Sequence, residues 1–156
     1  GWRRVVPSPA PINVKNAELV ERMAREGNIV ITVGGGGIPV FEDEKGMLQP
    51  LEGVIDKDLA SAMIGGLVNA DELYILTDVP YIYKNYNQPN EEILEILDYA
   101  DTKKYLEEGI FAEGSMAPKI RACLAFVEKG GDKAVITEST KLEDRRYGSK
   151  ITMHYE

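Results

Sequence analysis

Three short apolar runs, separated by stretches of helical periodicity, organise this chain. Ile29-Val30-Ile31-Thr32-Val33, Leu73 to Thr77 and Ala134 to Thr137 read as fully buried strands. Between them the apolar positions recur at helical spacing. Leu19, Val20, Met23 and Ala24 share one face of a helix that Asn16 caps and Gly27 ends. Leu59, Ala60, Met63 and Ile64 do the same for a helix opened by Asp56. Ser115 and the pair Gly130-Gly131 bracket a longer helix from Met116 to Glu128. A further helix is predicted near Glu91 to Leu97, and a short one capped by Asp101 and ending about Glu108. Trp2 to Val6 opens in what reads as mid-strand, and Pro7-Ser8-Pro9-Ala10-Pro11 is a proline-stiffened connector. Val40 to Gly53, polar with a turn at Gly46, predicts a hairpin or surface excursion, and Lys150 to Tyr155 a last, half-buried strand.

Strands alternating with helices predict an α/β fold: a three-layer αβα sandwich whose mainly parallel central sheet is covered on both faces. Ligands of such sheets bind beyond the carboxyl ends of the strands. Polar and glycine residues gather at that edge: Gly34 to Gly37, Thr77-Asp78, and Gly114-Ser115 at a helix start. The four glycines let a bulky group approach the backbone, and their amides could cradle a phosphate. A flexible turn explains them equally well, for neither a Walker A loop nor G-x-G-x-x-G is present. Two lysines sit at helix starts. Lys57 lies between Asp56 and Asp58, and Lys119 falls in the first turn of the helix opened by Ser115. Each is either a partner for an anion at a helix N-terminus or a surface lysine.

Composition narrows the field. The chain's 156 residues suit one domain, with 44% hydrophobic and 28% charged residues, as in ordinary globular proteins. A net charge of −8 argues against a general nucleic-acid or anionic-membrane surface, so a phosphate site must be built locally. Cys123 stands alone, fits a reducing compartment and sits in a helical apolar stripe as core packing. No membrane-length apolar run is present. The opening Gly1-Trp2, without an initiator methionine, reads as a piece of a longer protein or a processed product.

Five stretches, in this order, resemble carbamate kinases: Gly1 to Pro9, Gly34-Gly-Gly-Gly-Ile-Pro-Val40, Val54-Ile-Asp-Lys-Asp-Leu-Ala-Ser61, Leu76-Thr-Asp-Val79 and Gly114-Ser-Met-Ala-Pro-Lys119. Leu76 to Val79 marks only the amino acid kinase superfamily; the second and third stretches together carry the closer resemblance. The part present resembles the carboxyl-terminal, nucleotide-binding half of those enzymes, so residues 1–156 are expected to form that half, without the amino-terminal one. The resemblance implies reversible phosphoryl transfer between carbamoyl phosphate and ADP, giving ATP and carbamate, with magnesium and in the cytoplasm. Lys57 and Lys119 would neutralise the transferring phosphoryl group, Asp58 would orient them, and Gly34, Gly35, Gly36 and Gly37 would offer amides to the phosphates. Thr77, Asp78 and Val79, with Tyr83 or Tyr86, and Met116 with Pro118, would surround adenine and ribose. The partners implied are nucleotide and carbamate or carbamoyl phosphate, with a homodimer or an assembly with the absent half. No nucleic acid, membrane or dedicated metal cage is expected.

The chain also departs from the family's usual residues. Ala117 stands for glycine, Ile110 for a more polar residue, and Pro80 for aspartate. The tail from Arg145 to Glu156 keeps only a faded Gly148 to Thr152 pattern. Of the remaining candidates, His154 would lie on an edge strand, and Arg3 and Arg4 either approach the phosphates from the first strand or face solvent or a carboxylate partner. Tyr81, Tyr83 and Tyr86 either stack a base or pack their loop. Two other functions stay open. One is a nucleotide-binding or interaction module without catalysis; the other is a different amino acid kinase with another acceptor.

Overall fold

The computed structural model describes residues 1–2, 4–35 and 37–154. In chain order come α1 (Ala17–Arg25), β1 (Val40–Glu42), β2 (Leu48–Pro50), α2 (Lys57–Leu67) and β3 (Glu72–Thr77). Three short strands follow: β4 (Ile82–Lys84), β5 (Glu92–Leu94) and β6 (Ile96–Asp98). The chain ends with α3 (Tyr99–Glu107), α4 (Met116–Glu128), β7 (Lys133–Glu138) and β8 (Ser149–Thr152).

The central sheet runs β3-β7-β8-β6. β3 lies parallel to β7 and β6 parallel to β8, while β7 and β8 are antiparallel, so the sheet is mixed but mainly parallel. Ala134 to Thr137 of β7 are all buried, which means both faces of that strand are covered. α4 crosses the sheet with α2 and α3 packed on either side of it. Its Ile120, Cys123 and Phe126 are fully buried and meet Ile75, Ile136 and Ile151 from the strands. Phe126 also explains the glycine that follows α4. A Cβ at Gly131 would stand 2.2 Å from its ring, so no larger residue fits beneath it.

Local chemistry sets the ends of α2. Asp56 Oδ1 accepts the N–H groups of Asp58 and Leu59 at 2.9 and 3.0 Å, satisfying two donors that a first helical turn leaves free. At the amino ends of β3 and β7 the register partners Glu72 and Lys133 pair, Oε1 to Nζ, at 2.8 Å. Lys133's hydrogen bond, then that of the Tyr74 hydroxyl, holds the Glu72 carboxyl below its ordinary value of 4.5. A carboxyl lowered on folding adds stability that is present above the unfolded value and lost as pH falls through the folded one. Lys133→Met should therefore cost about 0.5–1 kcal/mol at neutral pH and flatten the acid limb of stability. Urea denaturation at about pH 7 and about pH 3 compares the two states directly.

The structure corrects several expectations. Residues 29–33 form no strand: Ile29 and Ile31 are each 98% exposed and Val33 has φ of 53°. A β-branched run becomes a strand only where another strand pairs with it, and no described strand does so here. The opening residues are likewise not a strand, with Trp2 fully exposed and Arg3 outside the described residues. The helix expected near Glu91 to Leu97 is instead β5 and β6. Pairing decides it, for Leu94 faces Ile82 and Leu97 faces the buried Ile151. α3 is capped by Asp98, not Asp101: Asp98 Oδ1 accepts the Asp101 N–H at 2.7 Å. Asn16 and Ser115 occupy N-cap positions without a side-chain capping bond. β8 is an interior strand, and His154 lies exposed beyond it. The hairpin expected between Val40 and Gly53 is present as β1 and β2.

Candidate functional site

A cavity of about 220 Å³ opens at the carboxyl end of β3. β3 and the turn after it contribute Thr77, Asp78 and Val79; the β4–β5 hairpin contributes Tyr83 and Tyr86. The opposite wall is Ile110, Phe111 and Ala112 with Ser115, Met116 and Lys119, the loop before α4 and its first turn. One part is apolar and aromatic. The Tyr83 and Tyr86 rings lie 5.4 Å apart, and Tyr105 meets Phe111 edge-on at 6.5 Å, locking a ring that is only 4% exposed. Burial, then the Glu91 charge, raises the Tyr83 hydroxyl above its ordinary value, so it stays protonated and can donate. On the polar side the Thr77 hydroxyl donates to Asp78 Oδ1 at 3.1 Å.

The charged side is built by two helix starts. α2 and α4 pack together, bringing Asp58 of the one to Lys119 of the other. Lys119 Nζ lies 3.1 Å from Asp58 Oδ2, and Lys57 Nζ lies 3.6 Å from the same oxygen. Asp58 is at the positive end of the α2 dipole, where a carboxylate is favoured. The side chains of Asp58 and Lys119 are 11% and 16% exposed, whereas that of Lys57 is 60% exposed. The backbone of α4 offers less to an anion than its position suggests. The N–H groups of Ser115, Met116 and Ala117 all donate to the Ala112 carbonyl, and Pro118 has none. The ammonium of Lys119 is therefore the main positive group at this end of α4.

One helical turn beyond Lys119 lies Cys123, fully buried. Burial, reinforced by the Asp58 charge, pushes its thiol up to about 12. A thiolate is the reactive form, so this cysteine is inert packing. An aromatic disulfide reagent at about pH 8 should leave it unmodified in the folded chain and label it fully in denaturant. Release of the coloured thiol, followed by absorbance, checks this.

The cavity collects half of the residues expected from the sequence: Thr77, Asp78, Val79, Tyr83, Tyr86, Met116 and Lys119 line it. Asp58 and Lys57 join through Lys119. Pro118 is half-buried and lies outside the lining. Gly34, Gly35 and Gly37 are also absent from it, and Gly36 lies outside the described residues. Gly34, with φ of 88°, accepts the Gly37 N–H at 3.3 Å through its carbonyl. Arg4 is exposed and paired with Glu52. Ile110, Phe111, Ala112 and Ser115 also line the cavity, though the sequence marked Ile110 only as a departure from the family's residues and Ser115 only as a helix start. The signal for the first two is an apolar pair, Ile110-Phe111, two residues ahead of the Gly114-Ser115 helix start.

The defining pattern of the Amino acid kinase family matches residues 2–138, and the chain belongs to that family. It is 47% identical over 137 residues to a carbamate kinase of Thermoplasma volcanium, covering 88% of this chain and 45% of that protein. A carbamate kinase of Lentilactobacillus hilgardii is 48% identical over 143 residues, covering 92% and 45% respectively. Among solved structures, carbamate kinase from Giardia lamblia bound to AMP-PNP superposes with a TM-score of 0.90 at 35% identity, over 97% of this chain and 49% of that one. The chain thus spans about half the length of the curated relatives it matches. An N-acetylglutamate synthase from Neisseria gonorrhoeae shares the fold alone, with a TM-score of 0.66 at 18% identity.

Proposed function

We propose that residues 1–156 are the nucleotide-binding half of a carbamate kinase, which transfers a phosphoryl group reversibly between carbamoyl phosphate and ADP. One observation carries the reading: an aromatic and apolar cavity that runs to a shielded lysine–carboxylate pair. A purine would lie against Tyr83, Tyr86, Phe111 and Met116, and Asp78 would accept from ribose hydroxyls. The phosphates would point to Lys119, with Lys57 approaching from the exposed side. Phosphoryl transfer asks for positioning and charge neutralisation, which a compact ammonium supplies without covalent chemistry. Asp58 Oδ2 holds the Lys119 ammonium by a hydrogen bond and lies within ion-pair distance of Lys57, while the remaining N–H groups of both lysines are left for phosphate oxygens. Gly34, Gly35 and Gly37 would reach the phosphates only if they moved toward the cavity.

In this reading magnesium arrives with the nucleotide. Among the described residues no group of three or more His, Cys, Asp or Glu could hold a metal ion, so in this reading the nucleotide's own phosphate oxygens carry it. The carbamate side would come from the remainder of the relatives' length, on the same polypeptide or on a second chain. The exposed side chains of Ile29 and Ile31 fit packing against such a partner. The single buried thiol fits a reducing, cytoplasmic setting.

A coupled assay for ATP with ADP and carbamoyl phosphate tests the activity. The 156-residue chain alone should bind Mg-ADP and make no ATP, whereas a protein combining it with the rest of the relatives' length should make ATP. Robust ATP synthesis by the isolated chain would sink the half-site reading. Turnover of a different acyl phosphate by the longer protein, and not carbamoyl phosphate, would point to another kinase of the family.

A further inference from the structure

We propose that Ser149 is a positioning residue for the nucleotide cavity: its buried hydroxyl pins both legs of the β4–β5 hairpin to the central sheet and so holds Tyr83 and Tyr86 at the cavity wall. The inference rests on the cavity being the nucleotide site proposed above. Ser149 is the first residue of β8 and is fully buried. The Ile82 N–H donates to its Oγ at 2.7 Å, and its O–H donates to the Leu94 carbonyl at 2.6 Å. Ile82 opens β4, Leu94 closes β5, and the two are cross-strand partners. One hydroxyl therefore closes the base of the hairpin, matching a single free N–H and a single free C=O with its one donor and one acceptor role.

The hairpin's own strand pairing is slight. Its strands are three residues each, and an isolated two-stranded sheet is marginal in water. The outgoing leg runs through Glu95, whose carbonyl accepts the Lys150 N–H at 2.8 Å, into β6 of the central sheet. On the incoming leg the Ile82 amide bonds Ser149, backed by the fully buried Ile82 side chain and by Tyr81, whose ring lies 5.1 Å from that of Tyr147. Tyr83 is the next residue, so its place at the cavity follows from that bond. The serine is itself fixed from behind. Gly148, with φ of 93°, sits where a Cβ would meet the Ile136 carbonyl oxygen at 2.6 Å, pressing the start of β8 against β7.

Removing the hydroxyl leaves two buried backbone groups unpaired at the hinge of the wall. Ser149→Ala should raise the Kd for Mg-ADP on the order of tenfold, and hydrogen exchange should speed up across residues 82–94 while β3 and β7 keep their protection. Ser149→Thr retains the hydroxyl and should bind within about threefold of the wild type. Val127→Ala truncates the core of α4 away from the hairpin; it should lower stability and leave Mg-ADP affinity unchanged. In the wild-type chain, without any substitution, the Ile82 amide should exchange as slowly as those of β8. A fast-exchanging Ile82 amide would overturn the proposal. So would a Ser149→Ala variant with wild-type affinity, or a Val127→Ala variant weakened as much as Ser149→Ala. Calorimetric titration with Mg-ADP and exchange measured on the free chain keep the two ideas apart. A wild-type chain that binds no nucleotide overturns the nucleotide reading, and exchange at Ile82 still decides the clamp.

Discussion

Lys119→Ala, made in a protein that carries this chain with the rest of the relatives' length, is expected to lower kcat by about 100-fold or more, on the order of 3 kcal/mol. The lysine is shielded, lines the cavity and is held by Asp58 at 3.1 Å, so its charge is in place before any phosphate arrives. A preorganised charge in a site partly closed to water is worth more to a charge-shifting transition state than to the ground state. The backbone cannot substitute, because the first-turn amides of α4 already donate to the Ala112 carbonyl. Nucleotide affinity should accordingly fall far less than kcat. Lys119→Arg should recover only part of the rate, since a planar fork does not replace a point charge aimed by one carboxylate oxygen. Steady-state kinetics with ADP and carbamoyl phosphate separate the cases. A variant weakened in KM alone would make Lys119 a ground-state anchor and shift the catalytic role to Lys57.

The second large effect concerns folding. Gly148→Ala is expected to cost about 3 kcal/mol or more, for two reasons that add. The residue has φ of 93°, a region that residues with a Cβ rarely adopt. Its new methyl would also stand 2.6 Å from the Ile136 carbonyl oxygen and 2.7 Å from Thr137 Cβ, and a backbone oxygen in mid-sheet cannot step aside. Gly109 separates the two causes. Its φ of 71° is also positive, but a Cβ there would meet nothing within 4 Å. Gly109→Ala should cost about 1 kcal/mol, the conformational part alone. Urea denaturation of both variants makes the comparison; equal costs would mean that the clash relaxes and that β8 is looser than drawn.

What the sequence made legible follows a physical division. β3, β7, α2 and α4 declared themselves because their apolar pattern, glycine ends and the Asp56 cap act locally and agree with their packing. Residues 29–33 carried the same β-branched pattern as β7, yet they form no strand and Ile29 and Ile31 stand exposed, because burial depends on a partner strand and the pattern does not say whether one is there. Glu91 to Leu97 contains apolar residues at helical spacing and becomes two strands, since Ile82 and Ile151 claim its side chains from elsewhere in the chain. The site divides in the same way. Thr77 to Val79, Met116 and Lys119 lie in short ordered motifs at element ends and could be read. Ile110 to Ala112 could not, because a loop's direction is set by what it packs on. The Ser149 hydroxyl lay further out of reach, for its partner Ile82 is 67 residues away in sequence.

The most direct measurement of the central claim is a calorimetric titration of the 156-residue chain with Mg-ADP, repeated on a cavity variant, Met116→Glu. The wild type is expected to bind one nucleotide per chain, and the variant, whose carboxylate faces the same cavity as the phosphates, to lose that binding. No heat of binding in the wild type, or equal binding by the variant, would contradict a nucleotide site at the carboxyl end of β3.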